Sequence, residues 1–258
     1  MNLTILPGVL SGTVAPPPSK SQAHRLLICA ALAGEGSVLH NLADSQDIQA
    51  TRRCLEALMT NSDPQPVLDC GESGSTLRFL IPIALALRGG GVFMGQGRLM
   101  ERPLQPYFDI FDENGISYQR RGRTLTVQGG LRPSVYRLPG NVSSQFFTGL
   151  LLAMPLLDGP SAVIPTTPLE SEGYIGMTLH AMYAFGVETA ATCSLPPQYH
   201  ILGGQRYRPA EVTVEGDWSQ AAFWLAARSL GSELEISGLN EDSIQGDMAV
   251  RHHAHTLS

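Results

Sequence analysis

Four times along this chain a cluster of small hydroxyl or amide residues opens a long apolar run that closes on a glycine, and this recurrence restricts the fold more than any other feature. The copies begin at Ser19-Lys20-Ser21-Gln22, Ser73-Gly74-Ser75-Thr76, Ser143-Ser144-Gln145 and Trp218-Ser219-Gln220. Serine is a preferred helix N-cap and glycine a preferred C-terminal stop, so both ends of each run carry a chemical mark. The runs HRLLICAALAG, LRFLIPIALALRGG, FFTGLLLAMPLLDG and AAFWLAARSLG are apolar on nearly every side, which predicts four buried helices.

Between them, DIQATRRCLEALM, PLQPYFDIFDENG and GYIGMTLHAMYAFG have the spacing of helices with one solvated face. The runs RTLTVQGG, YHILGG, AEVTVEG and SELEISG alternate like strands. The order predicts an α/β fold: a domain of three repeated βαβαββ-type units spanning about 14–209, with 1–13 and 210–258 as parts of an incomplete second domain. The Pro-bearing connector RYRPAEVTVEG marks the boundary. A C-terminal piece of about 45 residues buries little apolar surface on its own, so it is expected to need a complementing C-terminal half.

The 258 residues are 43% hydrophobic and 16% charged with a net charge of −6, a globular composition that offers no bulk attraction to nucleic acid or membrane surfaces. Any anion must be bound locally. Cys29, Cys54, Cys70 and Cys193 form no C-x-x-C pair and read as reduced thiols. The start MNLTILPGVLSG has no basic n-region, and no segment reaches the roughly 18 apolar residues of a membrane span; the expected location is cytoplasmic. His252, His253 and His255 lack the carboxylate or cysteine neighbours of a metal site. RRGR (120–123) reads as a solvated hairpin edge, and Trp218 and Trp224 as core anchors.

Helix N-termini present unpaired N–H groups and a positive dipole end, and three similar units would bring three such termini together. The cluster would offer Lys20, Ser21, Arg25, Ser73, Gly74, Ser75, Arg78, Ser143, Ser144 and Gln145 to one ligand, which suits a small phosphorylated, hydroxylated molecule. Lys20 and Arg25 oppose their own helix dipole, so an anion is expected to arrive beside them.

PPPSKSQAHR (16–25), CGESGSTLRFL (70–80), MERPLQP (100–106), LPGNVSSQFFTGLLLA (138–153), ESEGYIGMTL (170–179), EGDWSQAAFWLAA (215–227) and SIQGD (243–247) resemble, in order, the signatures of the EPSP synthase family. The resemblance implies transfer of the enolpyruvyl group of phosphoenolpyruvate to the 5-hydroxyl of shikimate 3-phosphate, with no metal or organic cofactor. It implies shikimate 3-phosphate contacts for Lys20, Ser21, Arg25, Ser143, Ser144, Gln145, Ser171 and Tyr174. It implies phosphoenolpyruvate contacts for Lys20, Gly74, Arg102 and Gln145, with Lys20 touching both substrates in a catalytic role. The family's remaining catalytic groups would lie beyond residue 258, so this chain alone is expected to be inactive. Glu72 stands where the family carries Asn, and Phe79 where many members carry Pro. Alternatives are a relative acting on UDP-N-acetylglucosamine and a non-catalytic module for a phosphorylated metabolite.

Overall fold

The computed structural model describes residues 4, 8–60, 63–192 and 194–251. Strand β1 (Ser11–Val14) is followed by α1 (Lys20–Ala33), β2 (Val38–His40), α2 (Gln46–Thr60), β3 (Val67–Asp69), α3 (Gly74–Arg88) and β4 (Gly90–Met94). Next come α4 (Gln105–Asn114), β5 (Ser117–Arg121), β6 (Thr124–Gln128), β7 (Val135–Leu138), α5 (Ser144–Ala153) and β8 (Ser161–Pro165). The chain continues through α6 (Glu172–Ala184), β9 (Ala190–Ala191), β10 (Tyr199–Ile201), β11 (Glu211–Thr213), α7 (Trp218–Ser229) and β12 (Glu233–Ile236).

Two stretches have the order βαβαββ and the same sheet. Strands β3-β4-β6-β5 and β7-β8-β10-β9 each join one parallel pair to two antiparallel pairs. The first stretch, α1-β2-α2, differs. The described residues between α2 and β3 hold no strand, and β2 pairs in parallel with β11, with Val38 opposite Glu211. A strand far along the chain thus takes the place that β3 and β7 take in the other two stretches. Arg120 and Arg121 lie on β5, an exposed edge strand.

The predicted caps hold for three helices. Ser19, Ser73 and Ser143 accept hydrogen bonds from the backbone N–H of Gln22, Thr76 and Gln145, and Gly34 and Gly89 end α1 and α3. Helix α5 stops at Ala153, because Pro155 has no N–H to continue the ladder, and a short 3-10 turn follows. The cap of α7 is Asp217 rather than a serine; its carboxylate accepts from Gln220 N and suits the positive end of the helix.

Helices α3 and α5 form the centre of the core, with Phe79, Leu80, Ile81, Ile83, Phe146, Phe147, Leu151 and Leu152 buried. They cross closely. A methyl group at residue 149 would lie 2.5 Å from the Arg78 carbonyl oxygen, so only glycine permits the approach. The expectation of a fourth buried helix fails at α7, where only Trp218, Ala221 and Leu225 are buried and Phe223 is 72% exposed. Among the described residues α7 packs chiefly on β12 and the turn at Gly246–Ala249, and Trp218 Nε1 donates to Asn240 O at 3.1 Å.

Strand β1 pairs in parallel with β12, so the N-terminal piece joins the C-terminal one. The links from this region to the rest include Ser19 N donating to Glu215 O at 2.8 Å, Asp217 N to Pro17 O at 2.9 Å and Glu215 N to Gln22 Oε1 at 2.7 Å. Cys29, Cys54 and Cys70 are buried free thiols, while Cys193 and the histidines at 252, 253 and 255 lie outside the described residues. Trp218 is buried and Trp224 half-buried. No helix among the described residues is long and apolar enough to cross a membrane.

Candidate functional site

The N-terminal turns of α1, α3 and α5 converge with the start of α6 on a cavity of about 340 Å³. Its lining includes Ser21, Arg25, Ser143, Ser144, Gln145, Ser171 and Tyr174, seven of the residues picked out in the sequence. Ser75 and Arg78 from the same helix termini line it too, as do Phe79, Val142 and Glu170.

Arg25 sits at the floor, 2% exposed. Its Nε donates to Thr178 Oγ1 at 2.8 Å, Nη1 to Ser21 O at 2.6 Å, and Nη2 to Thr148 Oγ1 and Tyr174 O at 3.1 Å each. The Phe79 and Tyr174 rings flank the guanidinium, with centroids 5.1 and 5.8 Å from its carbon. None of these partners is a carboxylate. Burial pushes the Arg25 pKa down to about 10, with smaller opposing contributions from Tyr174 and Cys29, so the group stays cationic at neutral pH. A guanidinium has five N–H donors, and these bonds use four; one Nη1 hydrogen has no described protein partner.

Ser171 caps α6 from the left-handed region (φ 60°) without accepting a capping bond, which leaves its hydroxyl to the cavity. Tyr174 Oη donates to Asp247 Oδ2 at 3.1 Å, and burial followed by the Asp247 charge raises its pKa. Gln145 bridges the α3–α5 crossing: Oε1 accepts from Arg78 Nη1 at 2.6 Å and Nε2 donates to Ser75 Oγ at 2.9 Å.

Four expected residues, Lys20, Ser73, Gly74 and Arg102, lie off this lining. Lys20 Nζ pairs with Asp47 Oδ2 at 2.8 Å, both side chains partly exposed. Gly74 lies under Arg102, where a methyl group at residue 74 would be 2.5 Å from Arg102 Nη1. Glycine here lets the guanidinium approach the first turn of α3. Ser73, expected to be among the groups offered to a ligand, is instead 1% exposed and occupied by Thr76, whose N–H and Oγ1 both donate to its hydroxyl. The Glu72 carboxylate turns away from the cavity: a methyl group at residue 97 would meet its Cδ and Oε1 at 2.8 Å, and Glu72 lines a separate polar hollow with Asp47 and Arg53.

Behind the site runs a buried polar chain. His24 Nδ1 lies 2.7 Å from Thr51 Oγ1, which lies 2.7 Å from Thr76 Oγ1, which donates to Ser73 at 2.7 Å. Burial, the largest cause, lowers the His24 pKa to about 3, so the ring is neutral. Thr148, Thr178 and Asp47 do not stand out in the sequence. The threonines carry one signal, a hydroxyl inside an otherwise apolar helix that needs a partner. Asp47 carries none, because an acid in the first turn of a helix is ordinary.

A buried cation without a counter-ion, ringed by serine hydroxyls, an amide and helix N-termini, has the chemistry to hold an anion, here within an α/β fold. The model of the EPSP synthase (3-phosphoshikimate 1-carboxyvinyltransferase) family matches residues 6–256, and the chain belongs to that family. It is 43% identical to the 3-phosphoshikimate 1-carboxyvinyltransferase of Clostridium beijerinckii over 96% of the chain and 62% of that protein. It is 42% identical to the protein of the same name from Clostridioides difficile, over 96% of the chain and 63% of the relative. An EPSP synthase structure from Acinetobacter baumannii shares the fold, with a TM-score of 0.74 at 23% identity over 91% of this chain and 57% of that one. The chain therefore spans about three-fifths of the length of the relatives it matches.

Proposed function

We propose that the cavity binds shikimate 3-phosphate and that the chain contributes one wall of a site for enolpyruvyl transfer from phosphoenolpyruvate to the 5-hydroxyl of that substrate. The observation that carries the reading is Arg25, a cation almost wholly removed from water, with neutral partners and a hydrogen still to be satisfied. An anion reaching it would form a charge-assisted bond inside a low-dielectric site. The hydroxyls of Ser21, Ser143, Ser144 and Ser171, the amide of Gln145 and Tyr174 serve the other oxygens of the ligand. Lys20, Gly74, Arg102 and Gln145 meet phosphoenolpyruvate, with Lys20 at the junction of the two substrates. In this reading residues 14–209 are the substrate-binding domain, and 1–13 with 210–258 belong to a second domain.

Titration calorimetry tests the site. The chain should bind shikimate 3-phosphate weakly. Arg25→Ala should lower that affinity roughly tenfold to a hundredfold, and lower shikimate affinity far less, because a bond of this type is worth about 1.5–3 kcal/mol. Ser144→Ala serves as a second probe if the buried arginine proves necessary for folding. Equal losses for both ligands would take the phosphate away from Arg25.

Transfer needs preorganised charge in a site closed to water, and each lost donor costs about a hundredfold to a thousandfold. The expected turnover of these 258 residues alone is below detection in a phosphate-release assay. Adding the separately expressed remainder of a full-length relative should restore it. Shikimate 3-phosphate binding without turnover even in the mixture would favour a non-catalytic binding module, and binding of UDP-N-acetylglucosamine instead would favour the related transferase.

A further inference from the structure

Arg78 stands one turn into α3, at the crossing with α5, and three neighbours hold its guanidinium. Nη1 donates to Gln145 Oε1 at 2.6 Å, Nη2 donates to the Pro103 carbonyl at 3.1 Å, and the carbon of the group lies 4.9 Å from the centroid of the Phe146 ring. A guanidinium has donors and no acceptor. Gln145 must therefore turn its amide oxygen to Arg78, and its NH2 is forced to the opposite side, where one hydrogen goes to Ser75 Oγ and the other is left over at the cavity wall. A free glutamine can present either end. This one cannot.

The second bond acts on the neighbouring segment. Pro103 follows Arg102, and Arg102 reaches over Gly74. A single guanidinium thus ties the amide of Gln145 and the backbone that carries Arg102 to the same turn of α3. We infer that Arg78 is a positioning and specificity-determining residue: it locks Gln145 as a hydrogen-bond donor and seats the Arg102 segment, so that this wall selects ligands with acceptor oxygens, phosphate or carboxylate, over ligands presenting hydroxyl or amine donors. The inference rests on the reading of the cavity as an anion site. Lysine keeps the charge but is a point donor without the planar fork, so it cannot hold the amide and the carbonyl in one plane.

The test has a ligand-free arm and a ligand arm. In the ligand-free 15N-labelled chain, the Gln145 side-chain NH2 pair, assigned by its loss in Gln145→Met, should exchange slowly with solvent. In Arg78→Lys the exchange should be roughly tenfold faster, as expected when a bond worth about a factor of ten is removed. Unchanged exchange overturns the inference. In the ligand arm, Arg78→Lys should weaken shikimate 3-phosphate binding about tenfold, and Arg78→Lys/Gln145→Met should bind no worse than Gln145→Met alone. Additive losses would mean that Arg78 meets the ligand directly, and full binding by Arg78→Lys would mean that charge alone matters; either result overturns the positioning role. Gln145→Glu keeps an oxygen toward Arg78 while removing the donor, so it should retain its melting temperature and lose binding. A marked fall in its melting temperature would count against the locked orientation, and it is the variant to use if Arg78→Lys does not fold. If the wild-type chain does not bind shikimate 3-phosphate, the proposed function fails while the exchange measurement still decides the locking of Gln145.

Discussion

Helices α5 and α7 are announced by the same kind of sequence and meet different fates. Each opens on a polar cap with a glutamine close behind, and each continues as an apolar run. In α5 every residue from Phe146 to Ala153 is buried, whereas in α7 Phe223 and Trp224 on one side stay partly or largely open. The cap and the helix are local, set by residues within one turn of each other. Burial is not. It depends on what comes to meet the helix, and α5 is met by α3, α6 and β8 while α7 is met by β12 and one short turn.

The widest gap between the two helices is expected at their phenylalanines. Phe147→Ala should lower unfolding stability by about 3–5 kcal/mol, the cost of a large cavity in a packed core, while Phe223→Ala should change it by less than about 0.5 kcal/mol. Urea denaturation of the two variants measures both. Similar losses would show that α7 is as firmly covered as α5, and the contrast between the regions would be gone.

Two glycines inside the body sharpen the picture. Gly149→Ala should destabilise by about 1–3 kcal/mol, because the new methyl meets the Arg78 carbonyl, which is backbone and cannot step aside. At Gly74 the obstacle is the far end of the Arg102 side chain. Gly74→Ala should therefore keep most of the stability and displace that guanidinium, weakening phosphoenolpyruvate binding in a complemented protein. Thermal melts beside a ligand titration separate the two outcomes, and a large loss of stability at Gly74 would contradict the account of Arg102.

A pH titration probes the joint between α1, α2 and α3. His24 takes up a proton at about 3 when folded, against 6.5 for the free side chain; burial is the main cause, Asp47 opposes it, and Arg25 and Lys20 add to it. Between those two values the unfolded chain holds more protons than the folded one, so stability falls as pH drops from about 6.5 toward 3. The slope from this group approaches about 1.4 kcal/mol per pH unit inside the window. His24→Asn should flatten the acid limb of a stability profile by that amount. An unchanged slope would place the ring in contact with water.

What is legible in the sequence depends on range. The caps at Ser19, Ser73 and Ser143 can be read because each signal spans about four residues, and Lys20, Arg25 and Arg78 because they stand within two turns of the first two caps. That these termini converge follows from repetition, and the cavity brings Arg25, Ser143 and Tyr174 together accordingly. The pairing of β2 with β11 cannot be read, since Val38 and Glu211 lie far apart in the chain and either three-residue strand would suit many partners. The Lys20–Asp47 pair is hidden for the same reason: which carboxylate faces a lysine is decided by how α1 packs on α2. The expected burial of α7 fails because an apolar run supplies only a surface to be covered, and the covering has to come from other elements.

The smallest effect is the most discriminating for the two regions. Ser143→Ala and Asp217→Ala each remove a cap whose oxygen accepts from the N–H of Gln145 or Gln220, and each should cost about 0.5–2 kcal/mol. In α5 that loss belongs to the whole body, because opening the helix exposes Phe146 and Phe147, and it should appear in the global denaturation midpoint. In α7 it should appear as local opening. Native-state hydrogen exchange is expected to show faster exchange confined to residues 218–236 in Asp217→Ala, with the amides of α3 and α5 unmoved. The loss could spread into the body through the two crossings at Ser19–Glu215 and Pro17–Asp217, through Glu215 N on Gln22 Oε1, and through the Tyr174–Asp247 bond. If Asp217→Ala lowers protection in α3 and α5 as much as in α7, those links transmit fully, and the two regions form one cooperative unit despite their unequal burial.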